Sequence, residues 1–423
     1  MINIKLFKKK AFDENPIQDP TKKALIDTLT RIQDEIIKNG DQALINYTQK
    51  FDDVRLTTET LTITEKDITN AYDSVSKEYV TTIKKASKNI TTFHENQIPH
   101  DWEEDLENNV TYGMQYKPIE KAGLYVPGGK ALYPSTVLMN AIPATLAGVS
   151  TLIITTPPQK NGQLAPEIIV AAKESGVTQI IKVGGAQAIF ALAYGTETVQ
   201  KVDKIVGPGN IYVDSAKQMV YGRVDIDKPA GPSEVCVYIE NEKYAHYAAA
   251  ELLAQCEHDP NASVYAISPD EIVLKLIQSK LTKQLTSLNR QDIIKDAMKN
   301  SVLLLVNDQN EGLEAIDTVA SEHLVLLIDD ADEMRRNVTH AGSIFCGPYS
   351  PVALGDYIAG PNHVLPTARA ARFASPLGVM DFMKFSTHLT YSKEALDAVK
   401  EDIKIFTEIE KLDAHYQSVK IRD

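Results

Sequence analysis

From Lys121 the chain alternates short β-rich runs with longer helical ones, and this alternation constrains the fold more than any other feature. GLYV precedes the helical run STVLMNAIPATLAG, TLIITT precedes APEIIVAAKESG, TQIIKV precedes AQAIFALAYG, and VDKIV precedes IYVDSAKQMVYG. Each strand-plus-helix unit is about 25–30 residues long, the spacing of parallel strands joined by right-handed crossovers. A second series begins at Glu234 with EVCVYI and continues through AHYAAAELLAQCEH, SVYAIS, a helix from Asp270, SVLLLV, HLVLLI and GSIFC. Pro229, Gly231 and Pro232 break any regular element between the two series.

The flanks read differently. In residues 1–120 the pattern is mainly helical: Asp19-Pro20 offers a helix start, Leu25, Leu29, Ile32 and Ile36 form one stripe, and Gly40 ends it. In the tail, Ala395, Val399, Ile403, Phe406 and Ile409 form a stripe that about 45 residues cannot bury alone, so it is expected to pack on the body or on a second copy. The predicted class is α/β, with two Rossmann-like parallel-sheet domains, a helical N-terminal segment and a helical C-terminal tail. The predicted division is an N-terminal arm over 1–22, a larger α/β domain over 23–124 plus 234–377, a Rossmann-like domain over 125–233, and a helical tail over 378–423.

Composition narrows the function. Across 423 residues, 44 basic minus 57 acidic side chains gives −13, which disfavours nucleic acid and anionic membranes as partners. The uncharged stretch from Ala131 to Gln159 contains Pro134, Asn140, Pro143 and Gly148 and changes period midway, so it reads as a buried helix followed by a buried strand. Three cysteines, Cys236, Cys256 and Cys346, are an odd and scattered set, suited to a reducing compartment. MINIKLFKKKAF lacks the apolar run of a secretory signal. A cytoplasmic location is expected.

Ligands of open parallel sheets bind beyond strand carboxyl ends, which singles out the glycine turns VPGGK (Pro127 to Lys130), VGGAQA (Gly184 to Ala188) and VGPGN (Gly207 to Asn210). None matches G-x-G-x-x-G, and such glycines also serve plain close packing. In AQCEHDP, Gln255 and His258 share a helix face and could reach one ion, although glutamine is an uncommon zinc ligand. Glu322-His323 puts an acid and an imidazole before an apolar strand, where they serve one site only if the backbone turns. GDYIAGPNHVLPT holds Asp356, Tyr357 and His363 on a backbone broken by Gly360, Pro361 and Pro366, which suits a ligand site or a plain turn. His415, near the C-terminus, reads alone as a solvated side chain.

Together, GLYVPGG, GGAQAIFALAYGTE, VDKIVGPGN, AGPSE, AQCEH, SEHL and GDYIAGPNHVLPT, in this order, resemble the L-histidinol dehydrogenase family from about residue 25 onward. The resemblance implies a homodimeric, zinc-dependent enzyme of histidine biosynthesis that oxidises L-histidinol to L-histidine through a bound aldehyde, using two NAD+ and one water. By the same resemblance one zinc per subunit is held by Gln255, His258, Asp356 and His415, the last from a tail exchanged across the dimer. The catalytic pair falls on Glu322 and His323: His323, whose ordinary pKa is near ~6.5, takes the hydroxyl proton, and Glu322 activates water. Ser233, His363 and Glu410 join the metal ligands and His323 in contacting substrate, and Tyr125, Gln187 and Asn210 contact NAD. The alternatives are a dehydrogenase of another small alcohol on the same scaffold, a non-catalytic metal-binding homologue, and a thiol route through Cys236 or Cys256.

Overall fold

A computed structural model describes residues 2–10, 22–107, 109–128, 132–228 and 231–422. Its strands, in chain order, are β1 (Asn3–Leu6), β2 (Trp102–Leu106), β3 (Val110–Pro118), β4 (Lys121–Tyr125), β5 (Thr151–Thr155), β6 (Gln179–Ile181), β7 (Lys204–Val206), β8 (Asp225–Ile226), β9 (Glu234–Ile239), β10 (Ser263–Ser268), β11 (Val302–Leu305), β12 (His323–Leu327), β13 (Ser343–Cys346) and β14 (Met383–Thr390). The first β-rich series forms a parallel sheet in the order β6-β5-β4-β7-β8, and the second a parallel sheet in the order β1-β11-β10-β9-β12-β13. The two parallel α/β sheets expected from the repeats are present.

Both sheets are covered on both faces, which explains their nearly continuous apolar strands. Leu124 and Ile154 point into a core with the helices Lys77–Glu95, Pro134–Ala147 and Pro166–Glu174, while Tyr125 and Ile153 point the opposite way, against the helices Lys22–Asp52, Gly185–Tyr194 and Ile211–Val220. In the other sheet Val235 and Val237 face the helices Ala245–Cys256 and Glu271–Leu285, and Cys236 and Tyr238 face the helix Gln309–Val319. The uncharged stretch around Pro134 forms a buried helix and then β5. Among the described residues no helix is long and apolar enough to cross a membrane.

The apolar cores divide the chain differently from the sequence-based grouping. The helices between Lys22 and Glu95 bury their stripes on the sheet of β4 to β8, so 23–124 packs mainly with 125–233, and of 234–377 only the late segment carrying Ile358, Val364 and Leu377 joins that core among the described residues. The arm is partly a strand: β1 pairs with β11 at the edge of the six-stranded sheet. The tail also opens on a strand, since β14 pairs antiparallel with β3, which pairs with β2, in a third sheet. Only after Ser392 does the tail become α-helical, over Lys393–Glu410 and Asp413–Lys420. Ala395 is buried, but Phe406 and Ile409 remain 68% and 74% exposed. Gly40 interrupts the first long helix as expected, and a second helical stretch starts at once because the Glu197 carboxylate accepts the Asp41 N–H at 2.8 Å. The helix start at Asp19-Pro20 lies outside the described residues.

Candidate active site

β9 and β12 are neighbours, with Val235 opposite His323, which brings Glu234 against the Glu322-His323 pair. The Glu234 N–H donates to Glu322 Oε2 at 3.0 Å, and the Glu234 carbonyl accepts from His323 Nδ1 at 3.2 Å. Nδ1 therefore carries a proton and Nε2 is the basic nitrogen. Nε2 is buried without a hydrogen-bond partner and faces Asp356 Oδ1 at 3.7 Å. Glu322 and His323 serve one site because the chain turns before β12: Ala320, at φ 48, caps the preceding helix in the left-handed region, and Glu322 lies in a bend. These groups cluster at the amino ends of β9 and β12, not beyond a carboxyl end.

Glu322 and His323 are 7% and 5% exposed, and their charges are strongly coupled. Burial pushes the Glu322 carboxyl up, and the His323 charge opposes that rise. Burial alone would lower His323, but the Glu322 and Asp356 carboxylates outweigh it and hold the imidazole up at about 9. This differs from the expected value near 6.5: two carboxylates flank the ring. Burial and the neighbouring Glu322 charge raise Glu234 to about 7, although the amides of Ala368 and Arg369 bond its carboxylate. Ala368 and Arg369 are consecutive non-glycine residues at φ 52 and 63, a conformation costing roughly 1–2 kcal/mol per residue.

Asp356 lies on the short helix Val352–Tyr357, whose first N–H, from Val352, donates to Glu251 Oε2 at 3.1 Å. Burial would raise the Asp356 carboxyl, yet the nearby His323, His363 and His258 hold it below the ordinary range. Gln255 sits in the last turn of Ala245–Cys256, 4% exposed. The helix ends just beyond it, so His258 occupies a turn rather than the expected helix face, its N–H donating to the Gln255 carbonyl at 3.3 Å. His363 donates from Nδ1 to the Asp356 carbonyl at 2.9 Å and accepts from Thr136 Oγ1 at Nε2, 3.3 Å away. Burial lowers its pKa, leaving a neutral ring that braces the Asp356 backbone. Ser233 precedes β9, half-buried. Glu410 and His415 are exposed on the tail helices, outside this cluster. Among the described residues no three His, Cys, Asp or Glu side chains converge to hold a metal within one chain; of the expected ligands, one chain brings together only His258 and Asp356 of those types.

The other expected contacts lie at or beyond the carboxyl ends of β4, β6 and β7, the first and last of which flank the point where strand order reverses in the smaller sheet. The Gly185 N–H donates to the Tyr125 hydroxyl at 3.1 Å, and Gln187 is buried in the first turn of the same helix. Asn210 caps the helix Ile211–Val220, its side-chain oxygen accepting from Tyr212 and Val213 at 3.0 and 3.2 Å. Gly207 has φ +112, and a Cβ there would lie 2.1 Å from the Tyr125 carbonyl oxygen. Its N–H donates to Asp227 Oδ2 at 2.8 Å and its carbonyl accepts from Lys217 Nζ at 3.0 Å, with Lys217 and Asp227 ion-paired and buried. Gly129 and Lys130 of the first turn lie outside the described residues. The seam is closed by the segment after Asp356: Asn362 donates to the Met139 carbonyl at 2.6 Å, and Thr367 Oγ1 accepts from Gly231 at 2.6 Å.

A family model described as histidinol dehydrogenase matches residues 17–423. The chain belongs to the histidinol dehydrogenase family. It is 45% identical over 399 residues to histidinol dehydrogenase from Clostridium acetobutylicum, covering 94% of this chain and 92% of that protein. It is 44% identical over 393 residues to the Oceanobacillus iheyensis protein of the same name, covering 93% and 92%. The crystal structure of histidinol dehydrogenase from Elizabethkingia anophelis superposes with a TM-score of 0.93 at 36% identity, over 100% of this chain and 97% of that one. As a histidinol dehydrogenase family member the chain is an oxidoreductase of histidine biosynthesis. Its geometry adds residues the sequence reading missed. Glu234 grips both Glu322 and His323 and Glu251 caps the helix of Asp356, whereas the cysteines recede: Cys236 and Cys256 are fully buried, and burial pushes the Cys256 thiol up to about 12.

Proposed function

We propose that this chain oxidises L-histidinol to L-histidine in two hydride transfers to NAD+, with one water consumed between them and the aldehyde kept bound. The observation that carries this reading is the His323 ring, fixed by Glu234 so that its buried Nε2 is the basic atom, with Glu322 held beside it. In the alcohol step His323 takes the hydroxyl proton as hydride leaves carbon. In the aldehyde step Glu322 takes a proton from water, whose oxygen bonds the carbonyl carbon, and the hydrate then gives up the second hydride.

The donor set fits a zinc ion. Gln255 contributes a buried amide, His258 an imidazole and Asp356 a carboxylate that its histidine neighbours keep ionised; His415 of a second copy completes the set. Bound zinc would orient the imidazole and amine of the substrate. With Asp356 committed to a cation its pull on His323 weakens, and the ring returns toward the range in which a neutral imidazole can act as base. The exposed Phe406 and Ile409 beside Glu410 support a homodimer with exchanged tails, in which Glu410 and His415 reach the partner's site. Tyr125, Gln187 and Asn210 hold NAD at the reversal of strand order, and Ser233 contacts substrate at the seam; His363 joins it by releasing Thr136. The cytoplasm supplies NAD+ and keeps the thiols reduced.

The test is the NADH yield from limiting histidinol in the zinc-loaded enzyme. Two NADH per histidinol is expected. One NADH with released aldehyde, or turnover of another small alcohol but not histidinol, overturns the reading.

A further inference from the structure

Glu234 has a carboxyl group that the reading above leaves unused. Its backbone positions Glu322 and His323, but the side chain lies beside the Glu322 carboxyl, with Oε2 buried and without a hydrogen-bond partner. The amides bonded to that carboxyl come from Ala368, Glu322 and Arg369, the first and last of them held in the left-handed region that L residues avoid. Thr367, just before them, is tied to Gly231 ahead of β9, so this strained turn is fastened to the strand that carries Glu234. A backbone arranged in this way keeps two carboxyl groups together in a site largely closed to water.

We propose that Glu234 and Glu322 work as one acid pair, in which the charge on Glu234 sets the strength with which Glu322 draws a proton from water. The inference rests on Glu322 being the base of the hydration step. Two adjacent buried carboxyls cannot both ionise easily, so at neutral pH the pair holds one proton and one negative charge. In the step itself a water O–H bond breaks, the proton goes to the pair, and the oxygen forms a bond to the aldehyde carbon while the carbonyl electron pair moves to oxygen. The pair then holds two protons and gives one up through Glu234, the less buried member, before the next turnover. The other groups facing Glu234 are His323 on β12, Tyr265 on β10, Cys236 on its own strand and Arg369 on the strained turn. Of these the phenol and the thiol are held neutral by burial. The Glu234 carboxyl itself lies near 7, so its charge changes within the working range.

The test measures single-turnover rates of the zinc-loaded enzyme across neutral pH, starting once from histidinol and once from the aldehyde. For Glu234→Gln we expect aldehyde oxidation to lose its rise through neutral pH and to run about tenfold slower on the alkaline side. The alcohol step should keep the shape of its wild-type profile, whatever its absolute rate. Equal slowing of both steps at every pH would mean that the residue only positions its neighbours, and an unchanged aldehyde profile would mean that its charge is irrelevant; either overturns the proposal. If Glu234→Gln loses zinc or fails to fold, Glu234→Asp decides: a displaced midpoint in the aldehyde step supports the pair, and a wild-type midpoint refutes it. Glu322→Gln is run beside them, because aldehyde oxidation that survives it removes the hydration base itself, an outcome distinct from a silent Glu234.

Discussion

His323 aims Nε2 at Asp356 Oδ1 across 3.7 Å, too long for a hydrogen bond and short enough for each group to bias the charge of the other. In the proposed reaction the carboxylate would be shared between two uses, ligand of a cation and counter-ion of the base. Asp356→Asn should lower zinc affinity by more than the roughly 10–100-fold typical of a supporting residue, and turnover with it. Dialysis against a competing chelator followed by metal analysis checks this; wild-type zinc retention would remove Asp356 from the ligand set.

Glu251 tests whether the supporting layer matters. Its carboxylate accepts the Val352 N–H at the start of the Asp356 helix and lies one helical turn before Gln255. Glu251→Ala leaves that amide unpaired and lets the helix shift, so zinc affinity and turnover are expected to fall about 10–100-fold with the fold intact. Glu251→Gln, which keeps an acceptor, should lose less. A competitive zinc titration of the three proteins would show that order; equal affinities would confine Glu251 to packing.

The parallel sheets were legible because strands covered on both faces are written as continuous apolar runs, and β4, β5, β9 and β12 all read that way. β1 and β14 were not. NIKL is a four-residue edge strand, and MKFSTHLT alternates polar and apolar residues and finds its partner, β3, only after the chain has crossed both sheets. The packing of the helix Lys22–Asp52 on the smaller sheet was equally hidden, since an amphipathic stripe shows that a helix is buried and not against what. Within the site, the segments carrying Glu322, His323 and Asp356 stood out as motifs. Glu251 carried a usable signal, the four-residue spacing to Gln255, that went unread. The Glu234 clamp carried none, because its contacts depend on the register of β9 against β12.

Gly207 should be intolerant of any side chain. Its φ of +112 lies where a Cβ is strained, and that Cβ would meet the Tyr125 carbonyl oxygen at 2.1 Å. Gly207→Ala is expected to cost about 1–3 kcal/mol and to displace the turn leading to Asn210. Thermal unfolding measures the first effect. NAD titration measures the second, as at least about a tenfold weaker affinity, equivalent to ~1.4 kcal/mol. An unchanged affinity would separate this turn from the cofactor.

Cys256→Ser separates the thiol route from the water route. The thiol is fully buried, its pKa is raised to about 12, and a hydroxyl in its place can keep the bond toward Ser301. Because the thiolate is the reacting form, a thiol held so high is a poor nucleophile at neutral pH, and the variant should retain turnover within about twofold. Loss of all turnover with zinc retained would restore a thiohemiacetal intermediate.

The raised Glu234 carboxyl also predicts how stability depends on pH. Its folded value, about 7, lies above the ordinary 4.5, so between those values the folded metal-free chain holds a proton that the unfolded chain has released. Stability from this group is therefore present at the acid end of that window and is lost as pH rises through the folded value, by up to about 1.4 kcal/mol per unit of difference. Other groups add slopes of their own, so the informative quantity is wild type minus Glu234→Gln. The variant has no proton to lose and resembles the protonated form, so the two curves of urea midpoint against pH should run together at the acid end and separate as pH rises, wild type falling below the variant by on the order of 2–3 kcal/mol. Parallel curves across the window would mean that Glu234 titrates normally and that Ala368 and Arg369, in spite of their strain, hold an ordinary carboxylate.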